Sequence, residues 1–447
     1  MDTVSLTSTI RGLAPTMRAD LERLVRIPSV AFPGFPPEPV RAAAEVTAEV
    51  LRDAGLGGAG LLELEGGYPA VFGELPAPPG APTILLYAHY DVQPAGPEDL
   101  WSTPAFEPVL RDGRLYGRGT SDDKSGIVLH AATVRAFSGR PPVGLKVLVE
   151  GEEEATTEHL PQLIAGNRGR LSADVIVVAD SGNVATGVPT LTTTLRGVID
   201  LQLEVRTLAV PVHSGSYGGA APDALLALIR MLATLHDDRG VVAVEGLGTA
   251  QADKVDWPED EFRAEAQVLD GVELVGDGSI AERTSVRPAI NVIGLDAPTV
   301  HGARNILVDR AAAQVSLRVP PDRDPVEAIE AVARHLERAA PWGVRTEISF
   351  GEPGEGFAAA TDGPAYAAAR RALTDAYGAE PVTTGSGGSV PLIPALSQTF
   401  PDAEILIMGA MDDRSNTHAQ DESVDLAEVE RAALAQALLV AELTPDR

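Results

Sequence analysis

Residues 83–91, TILLYAHYD, join an apolar run to a cluster of polar side chains. The run Thr83–Ala88 is short and almost wholly apolar, which is typical of a strand buried on both faces of a sheet. His89 and Asp91 follow directly at its carboxyl end. Three further runs have the same character: LKVLV (145–149), DVIVVA (174–179) and EILIM (404–408). They predict further buried strands in the same sheet.

Helical patterns separate these strands. Residues 38–54, EPVRAAAEVTAEVLRDA, place their apolar side chains on one helical face. Further helices are expected after Lys124 (SGIVLHAATVRAF) and over residues 422–443. Strands that alternate with helices form a sheet that the helices cover. We therefore expect a larger α/β domain, an open mixed sheet with helices on both faces.

The middle of the chain has a different pattern. Apolar and polar side chains alternate over residues 195–206, 313–319 and 343–350. Strands of this kind have one face on a core and the other in water. With helices expected at about 222–237 and 324–339, the order predicts an inserted α+β domain with a four-stranded antiparallel sheet and two helices. The expected domains are residues 1–189 and 358–447 for the two parts of the larger domain, and 190–357 for the inserted domain, with an acidic, irregular insertion at 247–288.

Composition limits the classes of function. The 447 residues exceed one ordinary core, so two domains fit the length. A net charge of −29 argues against nucleic acid as a partner, because a phosphate backbone would be repelled. No apolar run reaches the roughly 18 residues of a membrane span, and the N-terminal residues lack the basic start and apolar centre of a signal peptide, which favours a cytoplasmic protein. The chain has no cysteine, so a metal would bind to His, Asp or Glu.

Acidic and histidine side chains follow the predicted strands, where open α/β sheets bind their ligands. They are His89, Asp91, EGEEE (150–154), Asp180, His418 and, in the Gly-rich segment GRGTSDDKSG (117–126), Asp122. Each alone has a structural explanation: a lone histidine is usually hydrogen-bonded in the core or at the surface, adjacent glutamates lie in solvated loops, and aspartate caps helices. Together they crowd carboxylates at one sheet edge, which is unfavourable without cations. The pattern therefore predicts a metal site.

The chemistry of these side chains suggests their roles. Asp91 and His89 share a face of an extended segment, so Asp91 can hydrogen-bond the ring nitrogen that does not bind metal. One of Glu153 and Glu154 can bind metal while the other stays free as a base. Asp122 has two oxygens and can bridge two metals roughly 3.5–4 Å apart, which together hold a hydroxide and polarise a carbonyl.

These ordered motifs resemble the dinuclear-zinc metallopeptidases that include carnosinase, bacterial dipeptidases, aminoacylase, glutamate carboxypeptidase and succinyl-diaminopimelate desuccinylase. HYDVQP (89–94) resembles the family's H-x-D-V-x-P, GRGTSDDKSG its G-R-G-x-x-D-D-K-G, and EGEEE its E-G-x-E-E. VADSG (178–182) supplies the later aspartate and THAQDE (417–422) the last histidine. HYDVQP together with GRGTSDD is most similar to the dipeptidase branch.

The resemblance implies two divalent metal ions per subunit, zinc or alternatively manganese or cobalt. It implies that Glu153 is the general base and that Asp91 clamps the metal-binding histidine. The implied metal ligands are His89, Asp122, Glu154, Asp180 and His418, with Asp122 as the bridge. The resemblance also implies a cis peptide bond between Asp122 and Asp123.

The larger domain corresponds by resemblance to the family's catalytic domain and the inserted domain to its lid, which carries the implied substrate contacts. VPVHSGSYGG (210–219) resembles the segment whose histidine, here His213, stabilises the oxyanion, in dimeric relatives from the partner subunit. A homodimer through the lid is therefore expected. The other implied contacts are Asn305, Arg318, Gly388 and Ser389. Arg318 would grip a terminal carboxylate, although its pattern alone describes a plain surface residue of a strand.

This chain departs from the family pattern near the last of these contacts. Many relatives have arginine before the Gly-Gly-Ser loop, and this chain has Gly385-Ser386. None of the departures removes an implied metal ligand, but this one leaves the contact with the substrate carboxylate open.

The motifs predict a metal-dependent hydrolase that cleaves the amide bond of dipeptides or short peptides. The alternatives are an N-acyl-amino-acid amidohydrolase with the same metals and an inactive homologue that binds peptides. The remaining histidines match no ligand motif, and we interpret them as structural: His130, His159, His236, His301 and His335.

Overall fold

The computed structural model describes residues 2–251, 256–388 and 390–444. The predicted helix over residues 38–54 has the same bounds in the structure, whereas the closing helix begins later than expected, at Leu426. The helices are α1 (Thr3–Val25), α2 (Glu38–Ala54), α3 (Lys124–Ala136), α4 (Leu160–Leu171), α5 (Ser214–Tyr217), α6 (Ala224–Leu232), α7 (Glu259–Glu265), α8 (Ile280–Ser285), α9 (Pro325–Ala339), α10 (Pro364–Tyr377), α11 (Leu392–Thr399) and α12 (Leu426–Glu442), with 3-10 turns at Glu98–Leu100, Ala233–Leu235 and Pro341–Gly343.

The strands include the four predicted as buried apolar runs. They are β1 (Gly60–Leu62), β2 (Ala70–Leu75), β3 (Thr83–His89), β4 (Val109–Arg111), β5 (Arg114–Tyr116), β6 (Gly144–Glu150), β7 (Val175–Val178), β8 (Thr190–Leu195), β9 (Gly197–Arg206), β10 (Val212–His213), β11 (Ala289–Asp296), β12 (Ile306–Leu307), β13 (Arg310–Val319), β14 (Arg345–Phe350), β15 (Phe357–Ala358), β16 (Val382–Ser386), β17 (Glu404–Ile407) and β18 (Ser423–Asp425). The predicted runs are β3, β6, β7 and β17, each within about one residue of its expected ends.

The chain folds into two compact units. The first comprises Met1–Thr193, Ala359–Thr383 and Val390–Arg447, and the second comprises Thr194–Ala358 with Thr384–Ser389. The sequence analysis placed the joins at 189/190 and 357/358 and left residues 384–389 in the first unit. This short segment belongs to the second unit because its backbone bonds there: Arg196 N donates to Ser386 O at 3.3 Å.

The first unit is built on a mixed sheet. Among the described residues its strands follow the order β1-β2-β6-β3-β7-β17-β8. β6, β3, β7 and β17 are parallel, and β2 and β8 pair antiparallel at either side of them. Ile84, Leu86 and Ala88 of β3 belong to the main core, and Leu85 and Tyr87, which point the other way, are fully buried too. Burial on both faces explains why this strand is continuously apolar.

The helices of the first unit pack on this core. α1, α3 and α12 contact one another, and α2 contacts α3 and β2. The sequence patterns did not predict α1, which nevertheless buries Leu6, Ile10, Met17 and Leu21. None of the described helices is both long enough and apolar enough to cross a membrane.

The second unit is an α+β layer, as the alternating pattern predicted. In the part that the structure describes, its antiparallel sheet has the order β11-β13-β9-β14. Every second residue of β9 is buried, from Gly197 to Val205, and α6 and α9 pack against β9 and β13 to form a separate core. The periodicity had not marked β11, which is an edge strand. The acidic insertion also contains the short helices α7 and α8.

Candidate metal centre

The carboxyl ends of the parallel strands position the first polar groups. His89 is the last residue of β3 and pairs with Glu150, the last residue of β6. Asp180 lies just beyond β7, and Gly409 just beyond β17. A Cβ on Gly409 would lie 2.0 Å from Ala179 O, so only glycine allows the two loops to approach this closely.

Asp122 lies between two histidines that are far apart in sequence. His89 Nε2 is 3.0 Å from Asp122 Oδ1, and His418 Nε2 is 2.9 Å from Asp122 Oδ2. The Asp122–Asp123 peptide bond is cis, so the prediction made from the resemblance is confirmed. Asp123, the second residue of the cis bond, caps α3, where its side chain accepts from Gly126 N at 3.2 Å.

The other acidic groups lie on either side of Asp122. Asp180 Oδ1 is 4.0 Å from His89 Nε2, and Glu154 Oε2 is 3.3 Å from His418 Nε2. Within the described residues, two groups each bring three ligand atoms within 4.8 Å of one another: His89, Glu153 and Asp180, and Asp122, Glu154 and His418. The structure therefore brings together all five residues that the sequence analysis proposed as ligands, and the proposed base with them.

Asp91 contacts both His89 and the loop that carries Glu153 and Glu154. His89 Nδ1 is 3.1 Å from the backbone oxygen of Asp91 and 3.4 Å from its Oδ1. The carboxylate also accepts from Glu153 N at 3.2 Å and from Glu154 N at 3.0 Å. Asp91 is fully buried, so it fixes the glutamate loop as well as the imidazole, a second contact that the sequence did not predict.

Burial and contacts between the side chains of the centre shift their pKa values in both directions. Hydrogen bonds to Asp122 and Glu154 raise the pKa of His418 to about 10. Burial, with the nearby Asp122 carboxylate, raises the pKa of Asp180 to about 7. Burial alone would raise the pKa of Asp122, but hydrogen bonds from His418 and His89 outweigh it and lower that pKa. The Asp122 carboxylate is thus stabilised by the two imidazoles that face it.

The donor set fits divalent cations. Two imidazoles meet the two oxygens of one carboxylate, and further carboxylates complete each group. Nitrogen and oxygen donors of this kind suit zinc, manganese and cobalt. A divalent cation beside each imidazole would satisfy the crowded acidic oxygens.

The second unit contains the residues proposed for substrate contact. His213 Nδ1 accepts from Gly215 N at 3.1 Å and from Ser216 N at 3.2 Å. Ser214 N donates to Asn305 O at 3.0 Å, which places Asn305 beside His213. Arg318 lies on β13 and Gly388 in the short segment after β16, whereas Ser389 lies outside the described residues.

Arg196 is a candidate functional residue that the sequence analysis missed. It is only 8% exposed, and among the described residues no carboxylate lies within ion-pair distance and Nε has no hydrogen-bond partner. Within the part of the chain that the structure describes, Nη1 donates to the backbone oxygens of Arg283 and Arg287, both at 3.3 Å. Burial, together with the like charge of Arg318, lowers the pKa of Arg196 to about 10. No local motif marks such a residue, because the burial of its guanidinium is a property of the folded chain.

The sequence matches the family described as Peptidase family M20/M25/M40 over residues 85–442. The chain therefore belongs to this family and is an enzyme, a metallopeptidase. A cysteinylglycine-S-conjugate dipeptidase of Corynebacterium striatum is 44% identical to it over 364 residues, 80% of this chain and 80% of that protein.

Solved structures share the fold. The di-peptidase Dug1p from Saccharomyces cerevisiae superposes with a TM-score of 0.84 at 22% identity, covering 99% of this chain and 98% of that one. Human carnosine dipeptidase 1 superposes with a TM-score of 0.82, also at 22% identity and with the same coverage. The two-unit α/β fold expected from the resemblance is thus confirmed.

We expect Asp122→Ala to bind less metal than the wild type, because each histidine loses the oxygen that faces it. After loading with Zn²⁺ and dialysis, elemental analysis should find about two ions per wild-type chain and fewer in the variant. The exposed Asp99 provides the control, since Asp99→Ala should retain the wild-type content. Equal metal content in Asp122→Ala and the wild type would contradict this site.

Proposed function

We propose that the protein is a metal-dependent dipeptidase that hydrolyses dipeptides or short peptides. The observation that carries the proposal is the position of Asp122, whose two oxygens face His89 and His418 with further acids on both sides. The dipeptidase named among its relatives at 44% identity supports the substrate class.

Two divalent ions would be held by the ligands that the resemblance implies. Asp122 would bridge them, with His89 and Asp180 on one side and His418 and Glu154 on the other. Zinc fits these nitrogen and oxygen donors, and manganese and cobalt fit them as well. When bound, such ions supply Lewis acidity toward the scissile carbonyl and make water more acidic.

Glu153 is suited to move the proton. Burial, reinforced by the Asp180 and Glu154 carboxylates, raises the pKa of Glu153 well above its usual range, and its backbone N–H is held by Asp91. A carboxylate in such a site takes a proton from the attacking water more readily than an exposed one. It then passes that proton to the amine nitrogen that leaves as the C–N bond breaks.

Glu153→Gln should lower kcat by about 10²–10⁴-fold, the usual contribution of a general base, and should leave the metal content unchanged. Stopped assays on the Zn²⁺-loaded variant, with elemental analysis of the same sample, measure both quantities. Glu158→Gln is the matched control, because Glu158 lies in the same loop and is exposed. Turnover that survives in Glu153→Gln would show that another group is the base.

His213 is suited to donate a hydrogen bond to the substrate. Because its Nδ1 accepts two backbone N–H groups, the neutral ring carries its proton on Nε2. That proton is available for a developing oxyanion, the role that the resemblance implied. The adjacent Asn305 would add a second polar contact.

Arg196 and Arg318 would bind the free carboxylate of the substrate. Arg318 pairs with Val198, which is close along the chain to Arg196. The positive charge of Arg318 contributes to the lowered pKa of Arg196. The loop position where relatives often carry arginine has no room for one, since a Cβ on Gly385 would lie 2.4 Å from Thr194 Oγ1. Arg196 therefore supplies the cation that the loop lacks.

The substrate panel that tests this function compares a dipeptide, the same dipeptide as its C-terminal amide, and an N-acetyl amino acid. We expect the wild type to prefer the dipeptide. Arg196→Met should lower kcat/KM for the dipeptide about 10- to 100-fold, the worth of a hydrogen bond to a charged group, and change the amide little. Arg310→Met, exposed on β13, should match the wild type. Preference for the N-acetyl amino acid would instead identify a deacylase.

The protein would form a homodimer through the second unit. Leu226 and Ile229 of α6 are about half exposed, as are Val292, Ile293 and Leu295 of the edge strand β11. An apolar edge strand left in water is unfavourable, and a second copy would cover it. Sedimentation at micromolar concentration should give twice the mass of one chain, and Ile229→Glu should shift it toward the monomer. A monomeric wild type would contradict this assembly.

A further inference from the structure

The carboxylate of Glu422 is buried directly beneath Asp122. It has no solvent exposure and accepts five hydrogen bonds from described residues. Oε1 accepts from Ser121 N at 3.0 Å, Ser121 Oγ at 2.9 Å and Asp122 N at 3.1 Å. Oε2 accepts from Arg118 Nη1 at 2.8 Å and Gly119 N at 2.9 Å. The Glu422 side chain thus accepts hydrogen bonds from several backbone N–H groups of the loop that carries Asp122.

Backbone contacts join the same two segments. Gly117 N donates to Glu422 O at 2.9 Å, and Arg118 Nη2 donates to Ala419 O at 3.0 Å. The next residue, Ser423, pairs with Tyr116 where β18 meets β5. Glu422 lies four residues after His418, so it links the loop of the bridging aspartate to the loop of the last histidine.

The His418 segment needs such an anchor. Asn416, His418 and Asp421 have φ values of 51°, 63° and 55°, a left-handed conformation that costs non-glycine residues free energy. Such a conformation persists only where surrounding contacts enforce it. Asp421 is tied to Ser102, whose N and Oγ donate to Asp421 Oδ1 at 2.9 and 2.8 Å, and Glu422 provides the second attachment.

We propose that Glu422 is a positioning residue for the metal centre, which locks the Asp122 and His418 loops into one unit before any cation arrives. The inference rests on the metal ligation proposed above. Asp122 N donates to Glu422, and His418 lies four residues before Glu422 in the same segment, so the Asp122 carboxylate already faces both histidines. The ligands are then ordered when the protein folds. Metal binding therefore does not include the free-energy cost of ordering them, and the affinity for metal is higher.

Only a carboxylate of this length satisfies the pocket. Both oxygens of Glu422 face N–H or O–H donors, so an amide NH₂ at either position would meet a donor. Glu422→Gln should therefore release the loop while keeping the size of the side chain. Ser121→Ala removes a single hydroxyl contact with Oε1 and provides a milder perturbation.

Glu428 provides a matched control. It is also fully buried in the first unit, and it accepts from Asn183 Nδ2 at 2.6 Å and Gly187 N at 3.0 Å. These donors lie in the loop between β7 and β8, and neither belongs to the Asp122 loop or the His418 loop that Glu422 joins. Glu428→Gln therefore reports the general effect of losing a buried carboxylate.

The test measures Zn²⁺ affinity by competition with a chromophoric chelator, together with the free energy of unfolding of the metal-free protein. Glu422→Gln should weaken Zn²⁺ binding about 10- to 100-fold, the usual effect of a residue that orients metal ligands. Ser121→Ala should weaken it less, and Glu428→Gln should keep the wild-type affinity even where its unfolding free energy falls equally.

Two results would overturn the proposal at different levels. Wild-type Zn²⁺ affinity in folded Glu422→Gln would remove the positioning role and leave the metal centre standing. A wild-type protein without tight Zn²⁺ binding would remove both. If Glu422→Gln does not fold, Ser121→Ala decides: weakened binding supports the proposal, and unchanged binding at unchanged stability contradicts it.

Discussion

Buried negative charge is the constraint that governs the structure around the candidate site. Asp91, Asp122, Glu153, Glu154 and Asp180 lie together at one edge of a sheet, with two imidazoles among them. Carboxylates removed from water repel one another, and their free energy is lowered by protons, hydrogen bonds or cations. In this protein the imidazoles and backbone N–H groups stabilise part of this negative charge, and divalent cations would stabilise the rest.

The sheet makes this crowding possible. Parallel strands end at the same edge, so residues that follow β3, β7 and β17 meet although long stretches of chain separate them. Strong burial of those strands on both faces holds their ends in place. Loops contribute the other site residues. Asp122 and His418 lie in segments whose shapes depend on buried hydrogen bonds rather than on regular secondary structure.

Features that local sequence patterns encode could be predicted, whereas contacts between distant segments could not. Continuous apolar runs and helical periodicity are local signals, and they located β3, β6, β7, β17 and α2 closely. α1 was not predicted because its apolar periodicity is weak and it contains Pro15. Its burial against α3 and α12 stabilises it instead. The ordered motifs named the residues that the structure brings together at the metal centre. Arg196 and Glu422 looked like ordinary charged residues, since their burial and their hydrogen-bond partners belong to the folded chain.

The sequence by itself determined which segments are buried strands, which family the motifs resemble, and which side chains can donate to a metal. These properties follow from residue types and their spacing along a few turns or strands. The tertiary structure alone decided that the two oxygens of Asp122 face His89 and His418 and that Glu422 accepts hydrogen bonds from the Asp122 loop. It also decided that Arg196 is buried with no acidic partner among the residues that the structure describes. Such relations join residues up to 304 positions apart, and only packing in three dimensions sets distances between groups so remote in the chain.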